Sequence, residues 1–224
     1  MAKGVAPMSV EPLSSLDRST LRERSLAALR TAITSGRYRP GDHLGEVELA
    51  THLGVSRGTV REALRHLQQE RLVTAGNRGM LRVNQLSSTE VRELFKVRAA
   101  LEGLAVTEII NSGRREEAAR TLRDALADLG RGDFAERVEA DLGFHLLLCR
   151  LAGNSMLVEA WRALEGRIRV AIMNGDAEGS PVMMAGDRHA PILEAIESGE
   201  PADAVAVVED HMAAAAEHFA PAAD

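Results

Sequence analysis

The spacing of apolar residues in the first third of the chain predicts three helices followed by a β-hairpin. The first helix runs from Ser19 to just before Gly36, a glycine placed to end it. Ser56 is placed as the N-cap of the third helix, after a short helix and a glycine turn. The later predicted elements are helices at 46–53 and 57–70 and strands at 72–74 and 80–83. Elements in this order are typical of a winged helix-turn-helix.

From Ser87 onward the periodicity is helical almost without interruption. Ser87 and Glu90 have the spacing of a capping box, which marks the start of the first helix of this region. Glycine- and proline-containing breaks divide the rest into further helices. The predicted helices cover about 88–111, 114–130, 134–152, 155–174, 187–198 and 202–219. The predicted fold is therefore mainly α, with an N-terminal winged helix-turn-helix followed by an all-α helical bundle.

The 224 residues are enough for two such domains, and only 3% of them are aromatic, which favours helices over a β-sandwich. The predicted division is a flexible N-terminal tail at 1–16, a winged-helix domain at 17–84 and a helical domain at 87–220. No apolar run reaches the ~18 residues of a membrane span. The single cysteine, Cys149, excludes an intrachain disulfide and fits a reducing compartment. We expect a cytoplasmic protein with no membrane partner.

The formal net charge of −6 conceals an asymmetry along the chain. Residues 17–84 contain 12 Arg against 7 acidic residues, whereas residues 85–224 contain 14 basic and 25 acidic residues. A basic first third joined to an acidic remainder indicates two domains with different partners. Nucleic acid is a possible partner of the first domain in spite of the overall negative charge.

The third predicted helix has two faces of different chemistry. One face is apolar and would pack on the earlier helices, and a cationic face lies about 100° away around the helix. Ser56 and Thr59 in the first turn offer hydroxyl and N–H groups to phosphate oxygens. An isolated arginine stripe is more often merely solvated, but a glycine turn precedes this one and a wing follows it, which favours DNA binding. The apolar face consists of Val60, Ala63, Leu64 and Leu67, and the cationic face of Arg57, Arg61, Arg65 and Gln68.

Residues 19–84 resemble the winged-helix domain of GntR-type bacterial transcription regulators. The resemblance rests on Pro40-Gly41, Leu49-Ala50, Gly54-Val55-Ser56-Arg57, the run from Val60 to Arg65, Leu72-Val73 and Arg78-Gly79. It implies that the partner is double-stranded operator DNA. The residues it implies as DNA contacts are Ser56, Arg57, Thr59 and Arg61 on the recognition helix, and Arg78 and Gly79 in a wing that enters the minor groove.

This chain departs from the GntR pattern at two positions. Gly58 stands where the family prefers Thr or Pro, and Val47 stands where one branch has a DNA-contacting Arg. The operator sequence of a relative therefore cannot be transferred to this protein.

The helical domain contains a candidate metal site. Asp141 and His145 are four residues apart and share a helix face with apolar neighbours, so they need a partner or a metal. His189 and His211 lie on the inward faces of the last two predicted helices. One carboxylate and three imidazoles would suit Zn²⁺, Ni²⁺ or Mn²⁺. Each histidine taken alone is more often a hydrogen-bonded core residue, and His218, on the same face as His211, is a rival for the last position.

The helical region also resembles the FCD ligand-binding domain of FadR-type GntR regulators. The resemblance rests on the run from Val97 to Glu102, Asp141 to His145, Ala152-Gly153-Asn154, Asp187-Arg188-His189 and His211-Met212. It implies Asp141, His145, His189 and His211 as ligands of a divalent metal. Arg98 and Asn154 are then the implied contacts of a small organic or sugar acid. Alternatively, Arg98 and Glu102 form an i,i+4 ion pair that stabilises their own helix.

Together these features predict a homodimeric transcription regulator whose operator affinity is controlled by a small carboxylate or sugar acid. The competing hypotheses are a direct metal sensor and a metal-dependent enzyme fused to a DNA-binding module. Binding without turnover is the simpler interpretation because the chain has no H-E-x-x-H motif, serine nucleophile elbow or glycine-rich phosphate loop. We therefore expect that the protein is not an enzyme.

Overall fold

The computed structural model describes residues 20–76, 79–174 and 180–221. In this part of the chain, helices dominate and one two-stranded antiparallel sheet is present. The elements are α1 (Leu21–Thr34), α2 (Glu46–Leu53), α3 (Arg57–Gln69), β1 (Val73–Ala75), β2 (Leu81–Val83), α4 (Ser88–Asn111), α5 (Arg115–Leu126), α6 (Phe134–Leu151), α7 (Ser155–Asn174), α8 (Ser180–Met183), α9 (Gly186–Ser198) and α10 (Pro201–Phe219). The predicted combination of a winged helix-turn-helix and a helical bundle is confirmed.

The first three helices and the hairpin pack around a common core. Helix α3 places its predicted apolar face against α1 and α2, and all four residues of that face are buried. Between α2 and α3 the chain turns at Gly54, whose φ of 63° is readily adopted by glycine. The hairpin pairs Val73 with Val83 and Ala75 with Leu81. This arrangement leaves the opposite side of α3 free to face solvent.

The remaining helices form a bundle in which α4 and α10 pack side by side along their length. Helix α4 begins at the predicted capping box, since Ser87 and Glu90 each bond the other's backbone N–H. Helix α6 starts at a second capping box formed by Asp133 and Glu136. No described helix combines the length and apolar character that crossing a bilayer requires.

Two predicted details of the bundle are wrong. Helix α5 ends at Leu126 rather than near 130, because the chain continues in turns up to Gly130, which has a φ of 78°. The segment from Gly175 to Pro181 was predicted as a break, but its last two residues belong to the short helix α8, which begins at Ser180. Proline is tolerated in a first helical turn, where its missing N–H has no intrahelical partner to lose.

Candidate functional site

The N-terminus of α3 is built as the sequence predicts. Ser56 is the N-cap, and its Oγ accepts a hydrogen bond from the backbone N of Thr59 at 3.1 Å. The hydroxyl oxygens of Ser56 and Thr59 lie 2.9 Å apart, within hydrogen-bond distance. Ser56 and Arg57 are exposed, and Gly58 adds no side chain between them and solvent. The first turn of α3 is therefore accessible to an anionic partner.

The three arginines of the predicted cationic stripe are exposed, and two of them form ion pairs. Arg61 donates from Nε and Nη2 to both carboxylate oxygens of Glu46, at 2.8 and 2.7 Å. This hydrogen bonding lowers the pKa of Glu46. Arg65 pairs with Glu62 at 2.7 Å one turn away. The Glu46 contact holds the Arg61 guanidinium at the first residue of α2, and both arginines are about half exposed or more.

The wing is described only in part. Gly79 is exposed and has a φ of 75°, a conformation that side chains other than glycine rarely adopt. Arg78 lies outside the described residues, so its predicted contact with the minor groove stays a prediction.

The three histidines predicted as metal ligands converge in the interior of the bundle. His145 on α6, His189 on α9 and His211 on α10 each place one ligand atom within 4.8 Å of the others. The Nε2 atoms of His145 and His189 are 3.2 Å apart. Asp141 Oδ1 lies 3.1 Å from His189 Nε2 and 4.0 Å from His145 Nε2. All four residues are buried, so three helices bring these donor atoms together out of contact with bulk water.

The opposite ring nitrogen of each histidine already has a partner. His189 Nδ1 lies 2.9 Å from the carbonyl oxygen of Ala185, and His211 Nδ1 lies 3.1 Å from that of Arg188. Because a carbonyl oxygen can only accept, both Nδ1 atoms carry the proton. His145 Nδ1 likewise faces Glu102 Oε2 at 2.6 Å. Partners of this kind fix the imidazole orientation and leave Nε2 as the nitrogen that a metal would bind in place of its proton.

The buried carboxylates of this cluster are stabilised by the positive charges beside them. Burial alone would raise the pKa of Asp141, but the hydrogen bond from His189 and the charges of His145 and His189 hold it well below its usual value. Burial also acts to raise the pKa of Glu102, yet the charges of His145 and Arg98 lower it to about 2. Burial, followed by the charges of the other two histidines, lowers the pKa of His211 to about 2. The cluster thus combines ionised carboxylates with at least one neutral imidazole.

This donor set fits a divalent transition metal. Bonds of about 2.0–2.2 Å to nitrogen and oxygen place neighbouring ligand atoms about 3.0–3.5 Å apart. The separations of 3.1 Å from Asp141 to His189 and 3.2 Å from His145 to His189 fall in this range. The geometry is therefore compatible with the metal site that the sequence predicts.

Arg98, a predicted effector contact, lies inside the bundle near this cluster. Its side chain is 2% exposed, and its Nε donates to Glu102 Oε1 at 3.2 Å. The i,i+4 pair considered from the sequence is therefore present. The Nη2 atom of Arg98 is buried and has no hydrogen-bond partner among the described residues. A buried guanidinium with an unused donor is suited to an incoming carboxylate.

Asn154, the other predicted effector contact, is engaged in local structure. Its Oδ1 accepts from the backbone N of Leu157 at 3.2 Å and so caps α7, and its Nδ2 donates to Glu108 at 3.1 Å. Asn154 lies in the turn between α6 and α7, nine residues after His145 along the chain. Its position favours a structural role, and contact with an effector stays a prediction.

Two further residues of the site were not predicted in these roles from the sequence. Glu102 accepts hydrogen bonds from both His145 and Trp161, whose Nε1 lies 2.9 Å from Glu102 Oε1. Trp161, the single tryptophan of the chain, is fully buried, and a lone buried indole is a signal that could have indicated a polar partner. His218 stands apart from the cluster, since the described group of converging ligand atoms contains His211 instead.

Comparisons with known proteins agree with both parts of the fold. Residues 18–83 match the family model described as bacterial regulatory proteins, gntR family, and residues 93–214 match that of the FCD domain. The chain is 30% identical over 201 residues to the "Probable D-xylose utilization operon transcriptional repressor" of Paenarthrobacter nicotinovorans, a match that covers 89% of this chain and 88% of the relative. It is 36% identical over 138 residues to the Nta operon transcriptional regulator of Aminobacter aminovorans, covering 60% and 65% of the two chains.

Among solved structures, a transcriptional regulator GntR from Rhodococcus sp. RHA1 is similar, with a TM-score of 0.68 and 27% identity. This match covers 91% of the present chain and 99% of that one. The family models account for most of the chain, and the P. nicotinovorans relative and the Rhodococcus structure align with both domains. The protein therefore belongs to the GntR family of bacterial transcription regulators and carries an FCD domain.

Proposed function

We propose that the protein represses transcription by binding operator DNA, and that a small organic or sugar acid bound beside a divalent metal in the FCD domain controls its operator affinity. The observation that carries the proposal is the convergence of the Asp141 carboxylate with three histidines whose outer nitrogens are already bonded. This buried cluster lies in the same chain as an exposed cationic recognition helix. Repression is supported by the name of the P. nicotinovorans relative.

On the DNA side, α3 would lie in the major groove with its first turn toward the phosphates. The Ser56 and Thr59 hydroxyls would bind phosphate oxygens, and Arg57, Arg61 and Arg65 would face the groove. Arg61 would exchange its two bonds to Glu46 for two parallel bonds to a guanine edge, the commonest specific contact of arginine with DNA. Two copies of the chain in a homodimer would place two such helices in successive major grooves.

On the effector side, Asp141, His145, His189 and His211 would hold Zn²⁺, Ni²⁺ or Mn²⁺. When bound, such an ion supplies positive charge and an open coordination position for a carboxylate oxygen. Arg98 would use its free Nη2 to orient the same carboxylate, while Glu102 keeps the Arg98 guanidinium and the His145 ring in place. Since the buried carboxylates of Asp141 and Glu102 are already compensated, an added anionic ligand would be held mainly by the metal and Arg98.

The proposal is tested by metal analysis and a ligand screen on the purified full chain. We expect about one divalent ion per chain by elemental analysis, either as purified or after loading with Zn²⁺. A panel of small carboxylic and sugar acids is then screened by thermal unfolding, since a ligand that binds the native state raises its stability. A hit is next tested for its effect on the binding of operator fragments selected from genomic DNA.

The His189→Ala variant serves as the control in the same screen. A stabilising acid should lose its effect in this variant if it binds through the metal. The metal part of the proposal is overturned if no divalent ion co-purifies or can be titrated in. Turnover of a stabilising acid by the loaded protein would instead support the enzyme alternative.

A further inference from the structure

Helix α7 is in contact with both candidate sites. We propose that α7 transmits the state of the metal centre to the recognition helix, with Trp161 as the positioning residue at one end of the connection and Gly166 as the contact at the other. The inference rests on the proposed metal and DNA functions and concerns the path between them. The evidence is two groups of contacts made by α7, one with the residues around the histidine cluster and one with the C-terminal end of α3.

The first contact joins α7 to a metal-ligating histidine through one carboxylate. Glu102 accepts from His145 Nδ1 at 2.6 Å with one oxygen and from Trp161 Nε1 at 2.9 Å with the other. Both side chains that flank this carboxylate are at most 1% exposed. A shift of the His145 ring on metal binding therefore changes the hydrogen bond that holds Trp161.

A second connection ties α7 to the helix that carries two of the ligands. Arg169 on α7 is almost fully buried and donates to both oxygens of Glu139 and to Glu165 at 3.1 Å. Glu139 precedes the ligand Asp141 by two residues on α6. Because both carboxylate oxygens of Glu139 on α6 bind the Arg169 head group, α6 and α7 are expected to move together rather than slide independently.

At the other contact, α7 meets the end of the recognition helix. A Cβ atom built on Gly166 would lie 1.8 Å from the carbonyl oxygen of Glu70, so only glycine fits here without a backbone shift. Glu70 is the C-cap of α3, and its carboxylate accepts two hydrogen bonds from Arg30 on α1, at 3.0 and 2.6 Å. The end of α3 is thus fixed to α1 on one side and in direct contact with α7 on the other.

The two contacts are close together on one rigid element. Trp161 and Gly166 are five residues apart in a continuous helix, about 7 Å along its axis. Glycine is unfavourable inside a helix relative to alanine, and the close approach of Glu70 explains its presence here. A rotation or translation of α7 at Trp161 would therefore displace the C-terminal end of α3.

The test follows amide hydrogen exchange with and without Zn²⁺ alone, so it needs neither an operator nor an effector. In the unaltered protein, saturating Zn²⁺ should change the exchange rates of residues 66–72 by about threefold or more, while α2 stays unchanged. Gly166→Ala should bind Zn²⁺ with the same affinity but lose the response at 66–72. The matched control is Gly143→Ala, another helix glycine whose added Cβ would meet nothing within 4 Å, and it should respond normally.

Trp161 supplies two further measurements. As the single tryptophan it should report Zn²⁺ binding by a saturable change in fluorescence, which should be absent in His189→Ala. Trp161→Phe keeps a ring but loses the N–H donor, and should weaken the exchange response at 66–72 while Zn²⁺ still binds. The inference is overturned if Zn²⁺ binds to the unaltered protein and leaves 66–72 unchanged, or if Gly166→Ala responds normally. Absence of Zn²⁺ binding would overturn the proposed metal centre and this inference with it.

Discussion

The recognition helix and the histidine cluster use charged residues under opposite conditions. The Arg61 and Arg65 side chains are 47% and 62% exposed, and their ion pairs lie in water. The four residues of the cluster are no more than 8% exposed, and each charge there is compensated by a specific neighbour. Exposed ion pairs contribute little to folding, whereas an uncompensated buried charge is strongly destabilising. Substitutions on the exposed face of α3 should therefore change DNA binding with little effect on stability. Substitutions in the histidine cluster should change both ligand binding and stability.

The largest expected effect follows removal of a histidine ligand. His189→Ala deletes the ligand atom that lies 3.1 Å from Asp141 Oδ1 and 3.2 Å from His145 Nε2. We expect its Zn²⁺ affinity, measured by calorimetry, to fall by more than about 100-fold, because three donors remain and Asp141 loses its nearest partner. The metal-free variant should still bind operator DNA within about threefold of the metal-free unaltered protein. Equal Zn²⁺ affinity in the two proteins would contradict the ligand assignment.

The converse variant acts on the recognition helix. Arg61→Ala should lower specific operator affinity by about tenfold or more in a gel-shift assay, since an arginine bidentate to guanine is among the strongest sources of base discrimination. Its Zn²⁺ affinity should be unchanged, because Arg61 is exposed and its ion pair with Glu46 lies at the start of α2, within the winged-helix region. Arg120→Ala, which removes an exposed arginine of α5 in the other domain, is the charge-matched control. Unaltered operator affinity in Arg61→Ala would refute the DNA-binding assignment of the stripe.

The predictability of the two regions from sequence differs for a physical reason. The limits of α3 follow from local signals, namely the glycine turn and the cap at Ser56. Its cationic face could likewise be predicted because periodicity within one helix decides which residues are exposed. The end of α5 was misplaced because the residues after Leu126 continue a helical pattern while the backbone turns.

In the histidine cluster, local signals give the candidate residues but not their partners. Asp141 and His145 share a helix face, so their proximity is predictable from spacing. Glu102 contacts His145 and Trp161 from 43 and 59 residues away, and such contacts depend on how α4, α6 and α7 pack. Helical spacing alone does not separate His211 from its rival His218: the family resemblance implies His211, and the packing of α10 against α9 brings His211 to the cluster.

A smaller effect should follow from a change at Glu102. Glu102→Gln removes the charge that receives the His145 Nδ1 proton, and loss of such a second-layer partner typically lowers metal affinity about 10- to 100-fold. The Zn²⁺ affinity measured by calorimetry should fall by this amount. Glu108→Gln, on the same helix but bonded to Asn154, is the control and should bind Zn²⁺ normally. A normal affinity in Glu102→Gln would mean that Glu102 does not support the ligand.

Glu102 also gives the metal-free protein a defined acid dependence. Its pKa is about 2 in the folded chain against a usual 4.5, so the folded state binds this proton less readily than the unfolded state. The corresponding stability is fully present above pH 4.5 and is lost as the pH falls from about 4.5 toward 2. Urea unfolding at a series of pH values should show this loss in the unaltered protein. Glu102→Gln should lack it, and an identical pH profile for both proteins would contradict the assignment.

The smallest expected effect follows substitution of Asn154, and it tests whether this residue has a structural or an effector-binding role. Asn154→Ala removes the cap of α7 and the bond to Glu108, and caps of this type contribute about 1 kcal/mol to the free energy of unfolding. Asn154→Ser keeps a capping oxygen and should retain most of that stability in urea unfolding. Because Asn154 lies well beyond His145 along the chain and both its polar groups are bonded, neither variant should change Zn²⁺ affinity. The opposite result would be full stability in both variants together with weaker binding of a stabilising acid. That result would show that Asn154 contacts the effector and that its cap of α7 does not contribute to stability.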